Sequence, residues 1–316
     1  MSYAGHEEAW REWRAAMTGE RMHHAWLLAG RRGVGKAAFA YQAARELVGG
    51  PAPGDHPDIL VLTHPPKDDK EAAKRDEGKP YETKRNIPID EIRAMQRRLT
   101  TRPTLGERRV VIVDPVDDLE TNASNALLKS LEEPPQGTFF LLIAHRIGRL
   151  LPTIRSRCRI LRFPAVPDDA IDAVLCREAP QADAATRAAA VAASAGSPGA
   201  ALDFVGLDLG ELHSLMQDLV RSGDPDFARR SKLAEAIGAR PDRQRQLAAI
   251  DLARSVVAGA MRTVERRDIP ALAEAHAELS RLAAQAPTYN YDAGLLVMEI
   301  GSLLAALGAP SERAHG

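Results

Sequence analysis

Cysteine is nearly absent, with only Cys158 and Cys176 in 316 residues. Two thiols exclude a four-thiolate zinc site and a disulfide scaffold. Aromatic residues make up 4%, so the core is expected to be built mainly from Leu, Val, Ile and Ala. The formal net charge is only −1, unlike the basic balance of a dedicated nucleic-acid binder; a local basic face stays possible. No uncharged run is long enough to span a bilayer, and the N-terminal stretch lacks a signal peptide's apolar core. These absences predict a cytoplasmic protein with no membrane partner. What is present, 45% apolar and 27% charged residues, fits a globular chain of two or three domains.

The chain opens into a strand–loop–helix pattern. Ala25 to Ala29 form an apolar run that stops at Gly30. Beyond the segment GRRGVGKA, Phe39, Ala43 and Leu47 recur every four residues, as do Ala40, Ala44 and Val48, the spacing of a helix face. Gly49-Gly50-Pro51 ends it. Further apolar strands are expected at Ile59–Leu62, at Val110–Val113 ending on Asp114, and at Thr138–Ala144. Amphipathic helices fall at Ile89–Leu99 and at Asn122–Glu133, the latter stopped by Pro134-Pro135. Continuous apolar strands alternating with helices predict an α/β fold, a parallel sheet covered on both faces. Residues 65–85 are charged, framed by proline and poor in large apolar groups, which predicts an exposed, mobile insertion. After Pro164 strand-like runs give way to alanine-rich helical periodicity. The expected division is an α/β domain over 1–163, a small helical domain over 164–206 and an all-helical domain over 207–316.

The segment Gly30 to Ala37 matches the phosphate-loop pattern G-x-x-x-x-G-K-[ST] except at its last position. In such a loop Gly30, Gly33 and Gly35 permit a tight turn and close approach of backbone N–H groups to an anion, and Lys36 reaches the outer phosphates. The next residue's hydroxyl holds Mg²⁺, and Ala37 has none. The plain alternative is a glycine-rich turn carrying an unrelated lysine. In VVIVDPVDD, Asp114 stands where a strand-end carboxylate helps hold the metal. Pro115 stands where a glutamate would orient the attacking water, and Asp117 and Asp118 have the wrong offset. For Asp114 alone, a turn or helix cap is the alternative.

The segments ASNALLKSLEEPP (123–135) and LLPTIRSRCRIL (150–161) resemble the clamp-loader family of AAA+ ATPases. HHAWLLAGRRGVGKAAFA, HPDI, IPIDEIR and GSPGAAL fall in the order that family shows, and the likeness runs from about residue 20 to 203. It implies an AAA+ P-loop domain, a helical lid and a helical collar. In Ser156-Arg157-Cys158 it makes Arg157 an arginine finger carried into a neighbouring subunit's ATP site, a role that suits a permanently charged planar fork. Arg155, Arg157 and Arg159 alternate, so an extended segment would place them on one face; Arg155 and Arg159 read as a solvated stripe and Cys158 as a packing residue.

The family's sensor and lid positions are also altered. Ala144-His145-Arg146 replaces a polar sensor at a strand end, and Gly199 in GSPG replaces a lid arginine. Together with Ala37 and Pro115 these departures imply a subunit that lends a finger but does not hydrolyse ATP. Gly35 and Lys36 leave open whether the loop holds a nucleotide or phosphate, and tight ATP binding is not expected. Family members also carry a four-cysteine zinc module after the loop helix. Here Val48–Asp58 has no cysteine, and His56 and His64 are too few ligands, so no zinc is expected.

The resemblance implies a stator role in a DNA polymerase holoenzyme. Its partners would be the tau/gamma ATPase subunits and the delta subunit, with the sliding clamp and primer-template DNA reached through the assembly. Two alternatives stand beside it: an active AAA+ motor subunit, and a DNA-binding module. The second would use Arg93, Arg97, Arg98, Arg102, Arg108 and Arg109, a basic cluster diluted by Asp90, Glu91 and Glu107. ATP hydrolysis by the purified chain separates the first, and salt-dependent DNA binding the second.

Overall fold

Four short apolar runs and the mixed segment Arg159–Phe163 become the strands of one parallel sheet. The computed structural model describes residues 5–19, 22–49, 56–238, 241, 243–286 and 292–308. It divides into two units, Met1–Val166 and Pro167–Gly316. In chain order the first contains α1 (Glu7–Thr18), β1 (Ala25–Gly30), α2 (Lys36–Val48), β2 (Ile59–Leu62), α3 (Asp69–Asp76), α4 (Ile89–Leu99), β3 (Arg109–Val113), α5 (Thr121–Glu132), β4 (Thr138–Ala144), α6 (Pro152–Arg155) and β5 (Arg159–Phe163).

The strand order is β2-β3-β4-β1-β5, every pair parallel. The interior strands are apolar at nearly every position because both sheet faces are covered. Side-chain alternation sorts them. Leu27, Val111, Val113, Phe140 and Leu142 pack with Ile92, Met95 and Leu99 of α4 and Leu127 and Leu131 of α5. Trp26, Leu28, Val110, Ile112, Leu141 and Ile143 face the other way, onto Trp13 of α1 and Phe39, Ala43 and Leu47 of α2. The scarce aromatics gather on this second face. Trp13 meets Trp26 edge-on at 5.3 Å between centroids, and Phe39 meets Phe163 at 5.0 Å.

The charged insertion departs from expectation, because it carries order of its own. Pro66 and Thr83 form an antiparallel bridge. The Lys67 N–H donates to Glu82 O at 3.0 Å and the Lys84 N–H to Pro65 O at 2.7 Å. Between these stems lies α3, capped by the Asp68 carboxylate, which accepts the Glu71 N–H at 2.9 Å. Glu71 is buried and accepts both the Lys74 ammonium and the Glu82 N–H at 2.7 Å. Local polar contacts do here what apolar burial does elsewhere, a route that composition does not reveal.

The second unit is helical: α7 (Asp168–Glu178), α8 (Ala184–Ser194), α9 (Pro198–Gly206), α10 (Gly210–Ser222), α11 (Ala228–Ile237), α12 (Arg243–Ala260), α13 (Ile269–Gln285) and α14 (Ala293–Gly308). Contacts cross the expected boundary at 206/207. Phe204 packs edge-on against His213 at 5.6 Å, and Gln244 donates to Asp203 at 3.2 Å. Residues 167–316 cluster as one unit and residues 1–166 as the other. GSPG does separate two helices: Ser197 caps α9 by accepting the Ala200 N–H at 3.1 Å, and Pro198 takes the first turn. Among the described residues no helix is long and apolar enough to cross a membrane.

Candidate functional site

The glycine loop lies where β1 ends and α2 begins, at the carboxyl edge of the sheet. Gly30 is imposed by close approach: a Cβ there would stand 2.4 Å from the carbonyl oxygen of Phe163 on β5. Gly33 (φ 77°) and Gly35 (φ 102°) take left-handed backbone, which a side chain disfavours. Lys36, the first residue of α2, is only 3% exposed. Its ammonium turns back onto the loop, donating to Gly30 O at 2.7 Å and Arg31 O at 2.6 Å. Burial lowers its pKa to about 8, against the pull of Asp114 and Asp117. A residue the sequence did not flag completes the wall: buried His6 donates from Nε2 to Val34 O at 2.5 Å and meets Phe163 edge-on at 4.8 Å.

Asp114 follows β3 at the same edge, half-buried, with burial raising its carboxyl pKa while Lys36 opposes the shift. Its N–H donates to Leu62 O at 2.9 Å. The two carboxylates with the wrong offset have a different task. Asp117 accepts the His145 N–H at 2.8 Å and the Arg146 Nε at 3.3 Å. Asp118 accepts Arg146 Nη2 at 2.9 Å and faces His64 Nε2 at 3.3 Å. Burial tends to raise the Asp118 pKa, but His64 and Arg146 outweigh it and hold the carboxyl low. The His145 pKa is also lowered, to about 4, first by burial and then by Lys36, with Asp117 opposing. His145 and Arg146, expected only as a lost sensor, are thus bound to the segment after β3.

These residues do not fit a hydrolysed magnesium nucleotide. The Ala37 methyl packs against the α2 core instead of presenting a hydroxyl. Pro115 has no carboxylate, and Asp117 is occupied by the β4 end. A phosphate entering the loop has to draw Lys36 away from two carbonyls. Among the described residues no group of three or more His, Cys, Asp or Glu could hold a metal ion. Residues 50–55, within the Val48–Asp58 segment for which no zinc is expected, lie outside the described residues.

Arg157 occupies the opposite edge. In the β1–β5 register Trp26 pairs with Arg159 and Gly30 with Phe163. The glycine loop follows Gly30, whereas Arg157 precedes Arg159, so roughly 13 Å of strand separates the two ends. Arg155 closes α6, Arg157 lies in the turn after it and Arg159 starts β5. The three arginines therefore do not share the extended face that their alternation predicts. Pro152 starts a helical turn first, and only Arg159 is on a strand. Nor is Arg159 merely solvated. It donates to Glu12 at 2.8 Å and lies 4.9 Å over the Trp26 ring.

The Arg157 guanidinium, about a third exposed, bonds Glu132 Oε1 through Nη2 at 2.6 Å. Its Nη1 donates to Thr153 O at 3.0 Å and to Ser156 Oγ at 3.5 Å, and Ser156 Oγ donates to Thr153 O at 3.1 Å. Cys158 packs against the core, where burial pushes its thiol up to about 12.

The basic cluster is smaller than the sequence implies. Arg109 is buried, 3.5 Å from the fully buried Asp58, and donates to the carbonyls of Arg98, Thr101 and Arg102. Arg98 itself donates to Pro57 O, and Arg93 pairs with Asp90. In the second unit Gly199 lies in the first turn of α9.

A family model described as DNA polymerase III, delta subunit, matches residues 5–167. The DNA polymerase III subunit delta' of Pseudomonas aeruginosa is 36% identical over an alignment of 191 residues that covers 55% of this chain and 53% of that protein. The Escherichia coli subunit delta' is 33% identical over an alignment of 198 residues that covers 58% of this chain and 54% of that protein. The chain thus spans about half the length of the curated relatives it matches. A DNA polymerase III gamma subunit-related protein of Thermotoga maritima superposes with a TM-score of 0.53 at 20% identity, covering 95% of this chain and 99% of that one. That likeness shows a shared fold.

Proposed function

Since the chain belongs to the DNA polymerase III delta-subunit family, we propose that it acts as the delta-prime, or stator, subunit of a sliding-clamp loader. In this reading it does not hydrolyse ATP. Arg157 enters the ATP site of an adjacent tau/gamma ATPase subunit and stabilises charge on the transferred phosphoryl group. The delta subunit, the clamp and primer-template DNA are met through the assembly, in the cytoplasm. The observation that carries the reading is the placement of Arg157 at the amino edge of the sheet, a strand length from this chain's own loop. A finger so placed serves a nucleotide on another chain. The inward-turned Lys36 and the bare Ala37 supply the other half of the division of labour.

The test is reconstitution of the full chain with the ATPase and delta subunits, the clamp and primed DNA. Arg157→Ala should fold and assemble, yet lower DNA-stimulated ATP turnover and clamp loading by about tenfold or more. Arg157→Lys should rescue poorly, because an ammonium lacks the planar fork. Unchanged turnover in Arg157→Ala refutes the finger. Brisk ATP hydrolysis by the purified chain alone favours the motor reading.

A further inference from the structure

We infer that Glu132 is a positioning residue for Arg157, an inference that rests on reading Arg157 as a finger in trans. Glu132 is the last residue of α5, where Leu127 and Leu131 are fully buried in the core. Its backbone is therefore fixed, and Pro134-Pro135 stop the helix just beyond it. Twenty-five positions later in the chain, the Arg157 guanidinium meets this carboxylate at 2.6 Å and the Thr153 carbonyl at 3.0 Å. Two anchors on different nitrogens fix the plane of a fork that has five N–H donors. Nη1 also donates to Ser156 Oγ at 3.5 Å, and among the described residues the Nε–H has no partner, so it and the second Nη2 hydrogen can meet phosphate oxygens.

Magnitude separates this role from a structural one. The pair is open to solvent, at 35% and 47% side-chain exposure, and exposed ion pairs add little to folding stability. Its effect is to hold a long, flexible side chain in one orientation before a triphosphate arrives, sparing that ordering in the reaction itself. Glu133, next in the chain and also exposed, makes no hydrogen bond or ion pair with Arg157 among the described residues. It offers a control with the same change in charge.

The experiment uses the same full-chain reconstitution and follows DNA-stimulated ATP turnover. Glu132→Gln should lower kcat about threefold, with the KM for ATP and the urea midpoint unchanged, the pattern of an interaction made only in the transition state. Glu133→Gln should match the native chain. On an Arg157→Ala background Glu132→Gln should add nothing, since its effect passes through the guanidinium. The inference is overturned if Glu132→Gln turns over like the native chain while Arg157→Ala is impaired. It is equally overturned if the two losses multiply in the double variant. Should Arg157→Ala itself be silent, the finger reading fails, and this inference fails with it.

Discussion

Lys36 Nζ sits 2.7 Å from the carbonyl oxygen of Gly30, the residue that opens the same loop. The loop's cation is thereby held inside the loop. Burial lowers its pKa from 10.5 to about 8. Between those values the unfolded chain binds more protons than the folded one, so stability rises with pH across that window. Relative to Lys36→Met, which has no titrating group there, the native chain should gain on the order of 2 kcal/mol from pH 7.5 to 10. Urea midpoints at the two pH values measure this, and parallel profiles for the two proteins would contradict it.

The buried pair of Arg109 and Asp58 ties the start of β3 to the segment before β2. Burial alone would raise the Asp58 pKa. The Leu105 and Thr104 N–H groups and Arg109 reverse that and hold it below the usual carboxylate range. Arg109→Met leaves the carboxylate buried without its cation and should cost about 3–5 kcal/mol in urea unfolding. The native pair's contribution is present above the unfolded Asp value and fades as pH falls through the lower folded one. The gap between variant and native chain should therefore narrow in acid.

Gly30→Ala should be destabilising by about 3 kcal/mol, because the new methyl would meet Phe163 O at 2.4 Å and force β1 and β5 apart. Gly148→Ala, where nothing lies within 4 Å of the added carbon, should be close to neutral. Equal midpoints for the two variants would show that the strands yield easily.

The two thiols should differ in reactivity. Cys176 is exposed, while Cys158 has its pKa pushed to about 12 by burial. At pH 8 the thiolate fraction of Cys158 is about 10⁻⁴ by mass action. A thiol reagent should label one equivalent quickly and the second only on unfolding. Rapid labelling of both in the native chain would show that the turn after Arg157 opens readily.

What the sequence makes legible is local. The strand at Ala25–Gly30, the loop, α4 and α5 each announce themselves within a dozen residues, through apolar period and stop signals. The site's other half depends on which strands become neighbours. Asp117 looks misplaced when counted along the chain, yet it receives the His145 N–H because β4 lies beside β3. His6 reaches Val34 across 28 positions, and nothing in an isolated histidine marks that contact. The arginine alternation at 155–159 misleads because period-2 spacing means a shared face only on extended backbone, and Pro152 begins a helical turn.

The bridge between Pro66 and Thr83 has an architectural consequence. It closes the neck of the insertion, so the route from β2 to α4 is set by the stem and not by the number of residues above it. Closing a longer loop adds only a logarithmic entropic cost. The exposed tip around Gly78 is therefore a natural grafting point, where an affinity handle or a fluorescent reporter can ride on the subunit with the sheet insulated from its bulk.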